Sequence, residues 1–229
     1  MIFDFLKRMS WVAGILLAVP FLAVAGSNLV INGKFDSTNS FLYGWKYNYE
    51  NTGNALYADN HLRVAVTNDG NHHNVLALTA DYYILWERGQ GVIVDSYPIP
   101  IQPGGRYKLT VSARSMGPNC RILVEGYRWR PGIRPHPHPK LSKLRKCYKF
   151  YQVYFGPRKA GVMGGIGSTW RRASQTFPDK KMKPLAQESF NKVKFLVVHI
   201  VAIDVIHDDV AKGGEYSLFV DDVVLERLN

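Results

Sequence analysis

From Gly126 to Pro178 the chain has no acidic residue, and the same 53 residues carry twelve lysines or arginines, an excess as large as the net charge of +11 on the whole chain. Aromatic rings are interleaved with these cations, among them Tyr127, Trp129, Tyr148, Tyr151, Tyr154 and Trp170. Flat rings stack on the apolar faces of sugars, and arginine pairs bidentately with carboxylate or phosphate, so the mixture suits an acidic or sulfated glycan. A solvated basic loop lying over core aromatics has the same composition. The sharpest segment is Tyr127-Arg128-Trp129-Arg130, which leads into a Pro-stiffened loop containing Arg134. In a strand, Tyr127 and Trp129 share one face while Arg128 and Arg130 alternate onto the other. The expected ligand patch is Trp129, Tyr127, Arg128, Arg130 and Arg134, with Trp86 as a second platform. It requires a strand near a sheet edge, or one that twists at its end. If Trp129 is core, the patch loses its main support.

Other constellations are thinner. Glycoside hydrolysis needs two carboxylates about 5 to 10 Å apart. Glu125, on the strand of Tyr127 and Trp129, and Glu87, next to Trp86, are the one pair to test. Glu125 also suits a salt bridge to Arg128 or Arg172. His136-Pro-His138 and His72-His73 lack a clear third ligand for a transition metal. There is no Gly-x-Ser-x-Gly elbow, P-loop or His-Glu-x-x-His motif. The reading is therefore a non-catalytic binder.

The N-terminus sets the compartment. Lys7 and Arg8 precede an apolar run from Trp11 to Ala25 that closes in Ala23-Val24-Ala25, the pattern of a cleaved signal peptide. The run has about 15 residues, short of the ~20 that span a bilayer comfortably, and contains Pro20. Residues 1–25 read as a signal peptide, with an uncleaved anchor as the alternative, and 26–229 as one domain. Export places the protein outside the cell or in the envelope. Its basic charge then favours anionic polysaccharide or envelope polymers over nucleic acid. In an oxidising compartment Cys120 and Cys147 form a plausible disulfide, with two free thiols as the alternative. Such a bridge would close a loop of about 26 residues and stabilise by ~3 kcal/mol.

The elements that must position these residues are short strands between turns. His61–Thr67 and Tyr107–Ala113 alternate apolar and polar residues. Asn28–Gly33 reads as a short strand ending in an Asn-Gly turn, and Val92–Ile101 as an extended edge strand with prolines. Cys120–Trp129, Trp170–Phe177, Lys192–Asp204 and Tyr216–Glu226 follow, the third apolar enough to be buried on both faces. Leu141, Leu144, Tyr148 and Tyr151 stand at helical spacing, so a short helix is expected inside the basic stretch. Pro178–Ser189 reads as a polar loop or helical turn. The sum is an all-β sandwich or barrel of one domain.

Four segments in order carry a family likeness. They are Asn28-Leu-Val-Ile-Asn-Gly-Lys-Phe-Asp36 with Gly44-Trp45; Pro98-Ile-Pro-Ile-Gln-Pro-Gly-Gly-Arg-Tyr-Lys-Leu-Thr-Val-Ser-Ala-Arg114; Gly167-Ser-Thr-Trp-Arg-Arg-Ala-Ser-Gln-Thr-Phe177; and Tyr216-Ser-Leu-Phe-Val-Asp-Asp-Val-Val-Leu225. Together they resemble the galactose-binding-like jelly rolls, especially carbohydrate-binding modules of families four, nine and twenty-two. The resemblance implies an antiparallel jelly-roll β-sandwich with a basic insertion, a core Trp45 and binding of an extracellular or envelope polysaccharide. A structural or adhesive protein that contacts another protein, and a glycan-active hydrolase, are the other functions such a fold hosts. The likeness also implies a structural calcium held between the first and last strands, with Asp36, Asp221 and Asp222 at the matching positions. Asp221 looks in phase with Phe219, Val223 and Leu225, and so inward-pointing. Lys34 beside Asp36 departs from the pattern.

Overall fold

The computed structural model describes residues 27–40, 42–47, 62–83, 85, 91–153, 168–179, 183–205 and 214–228. The expected signal segment, Trp86 and Glu87 lie outside the described residues. The elements are β1 (Trp45–Tyr47), β2 (Leu62–Asp69), β3 (His72–Asp81), β4 (Gly91–Ser96), β5 (Ile99–Pro100), β6 (Tyr107–Met116), β7 (Pro118–Trp129), β8 (Leu144–Val153), β9 (Arg171–Phe177), α1 (Pro184–Asn191), β10 (Phe195–Val205) and β11 (Glu215–Arg227). They build two antiparallel sheets. Sheet A runs β1-β4-β10-β7-β8, with β5 also on β10, and sheet B runs β2-β3-β11-β6-β9. The architecture is the antiparallel jelly-roll β-sandwich expected from the sequence.

The two inner faces make the core. Val92, Val94, Ile122, Val124, Val198 and Ile200 from sheet A meet Leu76, Leu78, Leu109, Val111, Leu218 and Val220 from sheet B. Each such side chain contributes ~1.5–3 kcal/mol through its burial. Trp45 is core, as the resemblance implied, with its ring on Phe35 and its indole N–H donated to the Asn32 carbonyl. α1 closes one end of the sandwich by packing Phe190 against Tyr148 and Phe177. Strand β10 is buried on both sides: Val198 and Ile200 face the core, while Phe195 and Val197 lie under residues of the basic insertion. Among the described residues no helix is long and apolar enough to cross a membrane.

Several local expectations are corrected. Asn28–Gly33 is not a strand. Asn32 and Phe35 take positive φ (51° and 55°), which bends the chain, and the Asn28 side chain instead bonds β11, accepting from Leu225 N–H and donating to the Val223 carbonyl. A Cβ at Gly33 would stand 2.0 Å from the Val223 carbonyl oxygen, so only glycine lets this segment dock so closely. The helical spacing of Leu141, Leu144 and Tyr148 produces only a 3₁₀ turn at Leu141–Lys143 before β8. Pairing with β7 prevails, because that strand's backbone groups need partners and the ladder supplies them.

In β11 a bulge between Asp221 and Val224, with Asp222 at φ 50°, shifts the alternation. Leu218 and Val220 precede it and Val223 and Leu225 follow it, all fully buried, so Asp221 falls on the outer face. The disulfide does not form: Cys120 and Cys147 are free thiols. Cys147 lies at a bulge opposite Gly126 and Tyr127, six positions along β7 from Cys120. Six strand residues span roughly 20 Å. A disulfide holds its Cα atoms below about 7 Å.

Candidate functional site

Alternation along β4, β7 and β10 sends valines and isoleucines to the core and Asp95, Glu125, Tyr127, Phe195, Val197 and His199 to the outer face of sheet A. There Tyr127, Leu144, Phe195 and Val197 form a separate apolar cluster, with Trp129 and Leu141 packed on it. Beside it runs a chain of charged groups. His199 Nδ1 is 2.7 Å from Asp95 Oδ1, and its Nε2 is 3.4 Å from Glu125 Oε2. The second contact falls outside hydrogen-bond geometry and acts as an ion pair. Tyr127 donates its hydroxyl to Glu125 Oε2 at 2.6 Å, and Lys146 donates to Oε1 at 2.9 Å. The His199, Asp95 and Glu125 side chains are only 12%, 6% and 13% exposed.

Burial and partners oppose each other at these groups. Burial alone would raise Glu125, but His199, Tyr127 and Lys146 outweigh it and hold the carboxyl at about 2. Burial would lower His199, yet the two carboxylates hold it protonated up to about 9. Burial and the Glu125 carboxylate push the Tyr127 phenol well above its usual range. At neutral pH the result is an imidazolium clamped between two carboxylates.

A cleft of about 2080 Å³ lies over this face. One wall is the segment after β4, where Tyr97 is 50% exposed and followed by Pro98, Ile99 and Pro100. The other is the basic insertion, with Arg130, His136, His138 and Lys140. Lys46, directly opposite Asp95 in register, and Arg227 add positive charge at the margins. The acid on its lining, Asp95, is buried and held by His199.

The sequence-derived patch is divided by the structure. Tyr127 is 8% exposed, with its hydroxyl spent on Glu125, so it is floor rather than a stacking platform. Trp129 is half-buried between Phe195, edge-on at 5.3 Å, and His136 at 5.0 Å. Arg130 lines the cleft and donates Nε–H to the Leu144 carbonyl at 2.9 Å. Arg134 is exposed on the insertion and does not line the cleft. Arg128 points to the other face of the sheet, opposite Arg145. Glu125 finds Lys146 and His199 instead of Arg128 or Arg172. Sequence reasoning missed His199, Asp95 and Tyr97. A histidine in the outward phase of an otherwise apolar strand, and an aspartate ending Val-Ile-Val, were the available signals.

The carboxylates proposed for calcium do not converge. Asp36 is exposed, Asp221 Oδ2 meets His72 Nδ1 at 3.0 Å, and Asp222 faces Arg172 at 3.7 Å. Asp221 Oδ1 also accepts the Asp222 backbone N–H, so both of its oxygens have protein partners. Among the described residues no three acidic, histidine or cysteine side chains form a metal-holding group, the His72-His73 and His136/His138 pairs included.

No protein-family model matches the chain, and no curated protein does. Solved structures are similar in fold. One is the enzymatically active domain of tailspike protein 4 of bacteriophage CBA120, with a TM-score of 0.47 and 12% identity over 88% of this chain and 21% of that one. The chain thus spans about a fifth, 21%, of that domain's length. A xylan-binding domain from Paenibacillus barcinonensis gives 0.46 and 11% identity over 90% of this chain and 97% of that domain. The N-terminal cellulose-binding domain of a Cellulomonas fimi β-1,4-glucanase gives 0.42 and 16% identity over 87% and 97%. In fold, the chain resembles carbohydrate-binding modules. At such identities the likeness extends to the fold alone.

Proposed function

We propose that the cleft on sheet A binds an extended polysaccharide, acidic rather than neutral, without cleaving it. The observation that carries this reading is the composition of the cleft. An exposed tyrosine and prolines line it, cations stand on both margins, and its acidic groups are neutralised within the floor. An apolar ring such as Tyr97 stacks on a sugar face, and lysine or arginine pairs with its carboxylate or sulfate. The floor is rigid because His199 ties β4, β10 and β7 together through side chains, so little ordering is needed on binding.

The same clamp argues against hydrolysis by these carboxylates. A glycosidase needs one carboxyl kept protonated near neutral pH. Glu125, held at about 2, cannot serve as that acid, and its contacts hold it in the floor. The test is a glycan array read at two salt concentrations, with reducing-end release assayed on every hit. Binding to acidic glycans that weakens with salt and releases no ends supports the proposal. Retention of no glycan at either salt concentration contradicts it.

A further inference from the structure

Arg128 and Arg145 stand directly opposite each other on β7 and β8. Like charges opposed across a ladder are destabilising. Neither makes a hydrogen bond or ion pair among the described residues. Their face is the one that carries Tyr148 toward the core, near the end of the sandwich that α1 closes, and Arg128 lies outside the cleft while Arg145 stands on the rim between the two. Lys192, just after α1, completes the third side, and Ser189 and Cys147 lie between. These residues enclose an open depression of about 450 Å³ with no acidic residue in its lining. Burial pushes the Cys147 thiol up, while Arg128, Arg145 and Lys192 pull it down, which places three cations within reach of one sulfur.

The partners that could explain these charges are otherwise engaged. Glu188 pairs with the site's own Lys192 on the exposed side of the helix, and Lys146, on the rim, is taken by Glu125, so the two guanidiniums are the cations left here without a counter-ion among the described residues. The last carbonyls of α1, at Ser189 and Phe190, accept the backbone N–H groups of Lys192 and Val193. The guanidiniums therefore do not cap the helix. A pair of guanidiniums with a lysine and a serine hydroxyl matches a tetrahedral oxyanion, which offers several acceptors to forked donors.

We propose that this depression is an oxyanion site, for sulfate or a phosphate or sulfate ester, adjoining the cleft across Arg145 and Lys146 and occupied by an ion that relieves the Arg128–Arg145 repulsion. The chemistry is shared by a free ion and by a charged substituent on a polymer.

The test is a titration of the full chain with inorganic sulfate at fixed ionic strength, read by amide chemical shifts. Saturable shifts at Arg128, Cys147, Ser189 and Lys192 are expected, weakened at least tenfold in the Arg128→Gln/Arg145→Gln double variant. That variant removes a repulsion, so it folds, and its melting temperature no longer rises with sulfate. Lys34→Gln, a control elsewhere on the surface, behaves as the parent. Dextran sulfate, compared with plain dextran, separates the sources. Displacement of inorganic sulfate by dextran sulfate alone identifies a polymer-borne group, and no displacement by either identifies a free ion. Tyr97→Ala weakens glycan retention while leaving the sulfate response intact, so failure of the cleft reading is told apart from failure of this one. Shifts that do not saturate, that spread over lysines across the surface, or that persist in the double variant overturn the proposal.

Discussion

Each sheet carries a histidine–aspartate pair on its outer face, and the surroundings differ. On sheet A, His199 is 12% exposed, meets a second carboxylate, and lies in a floor shared with Tyr127 and Lys146. On sheet B, His72 is 32% exposed, meets Asp221 alone, and is covered by the Trp170 ring stacked at 3.9 Å. Trp170 is fixed by donating its indole N–H to Asp69, which also pairs with Arg114. The pairing is alike and the enclosure is not. The basic insertion is what turns an ordinary outer sheet face into a walled cleft, because its Leu141 and Leu144 bury Phe195 and Val197 beside the charged chain.

The largest effect expected from this difference is on stability. Removing one member of a buried charge cluster leaves the others unpaired, so His199→Ala costs ~3–5 kcal/mol of folding free energy. His72→Ala, at a more open pair, costs about 1 kcal/mol. Urea unfolding of both variants measures the contrast, and equal losses would remove it. The insertion's covering role predicts the next effect. Trp129→Ala, deleting a half-buried ring, costs about 2 kcal/mol, less than the ~3–5 kcal/mol of a fully buried aromatic such as Phe195→Ala.

A smaller effect is pH dependence. His199 is raised, so its stabilisation is complete below about 6.5 and is lost as pH climbs through about 9. Glu125 is lowered, so its stabilisation is complete above about 4.5 and is lost as pH falls toward about 2. Together they give a plateau between these limits. His199→Gln should flatten the alkaline limb and His72→Gln should not, as melting temperatures from pH 6 to 10 would show. A parent alkaline limb unchanged in His199→Gln would contradict the clamp.

The sequence made the sandwich legible wherever alternation was clean, as in β6, and wherever an apolar run was too long for a half-buried strand, as in β10. It misled where one residue changed the phase. The bulge at Asp222 puts Val223 and Leu225 back in the inward phase while Asp221 stays outward beside His72. Leu141, Leu144 and Tyr148 fit helical spacing, but β8 forms because the preceding strand needed a partner, a nonlocal demand that a local pattern does not record. The cysteine pair looked bridgeable by count, while the β7–β8 register sets Cys147 beside Gly126, six positions from Cys120. Of the binding patch, the strand face of Tyr127 and Trp129 was read correctly, and the split of Arg128 from Arg130 was not. Arg130 has left the strand, so alternation no longer governs it.

The most direct measurement of the central claim is affinity and melting temperature on the same Tyr97→Ala protein, using the tightest-binding acidic glycan. Tyr97 is exposed on the cleft wall, and Tyr43 is equally exposed at 47% outside the cleft lining. The account predicts that Tyr97→Ala weakens glycan binding by ~2 kcal/mol without moving the melting temperature, as removal of an aromatic anchor does. Tyr43→Ala should change neither. Unchanged affinity in Tyr97→Ala, or an equal loss in Tyr43→Ala, would contradict the assignment of carbohydrate to this cleft.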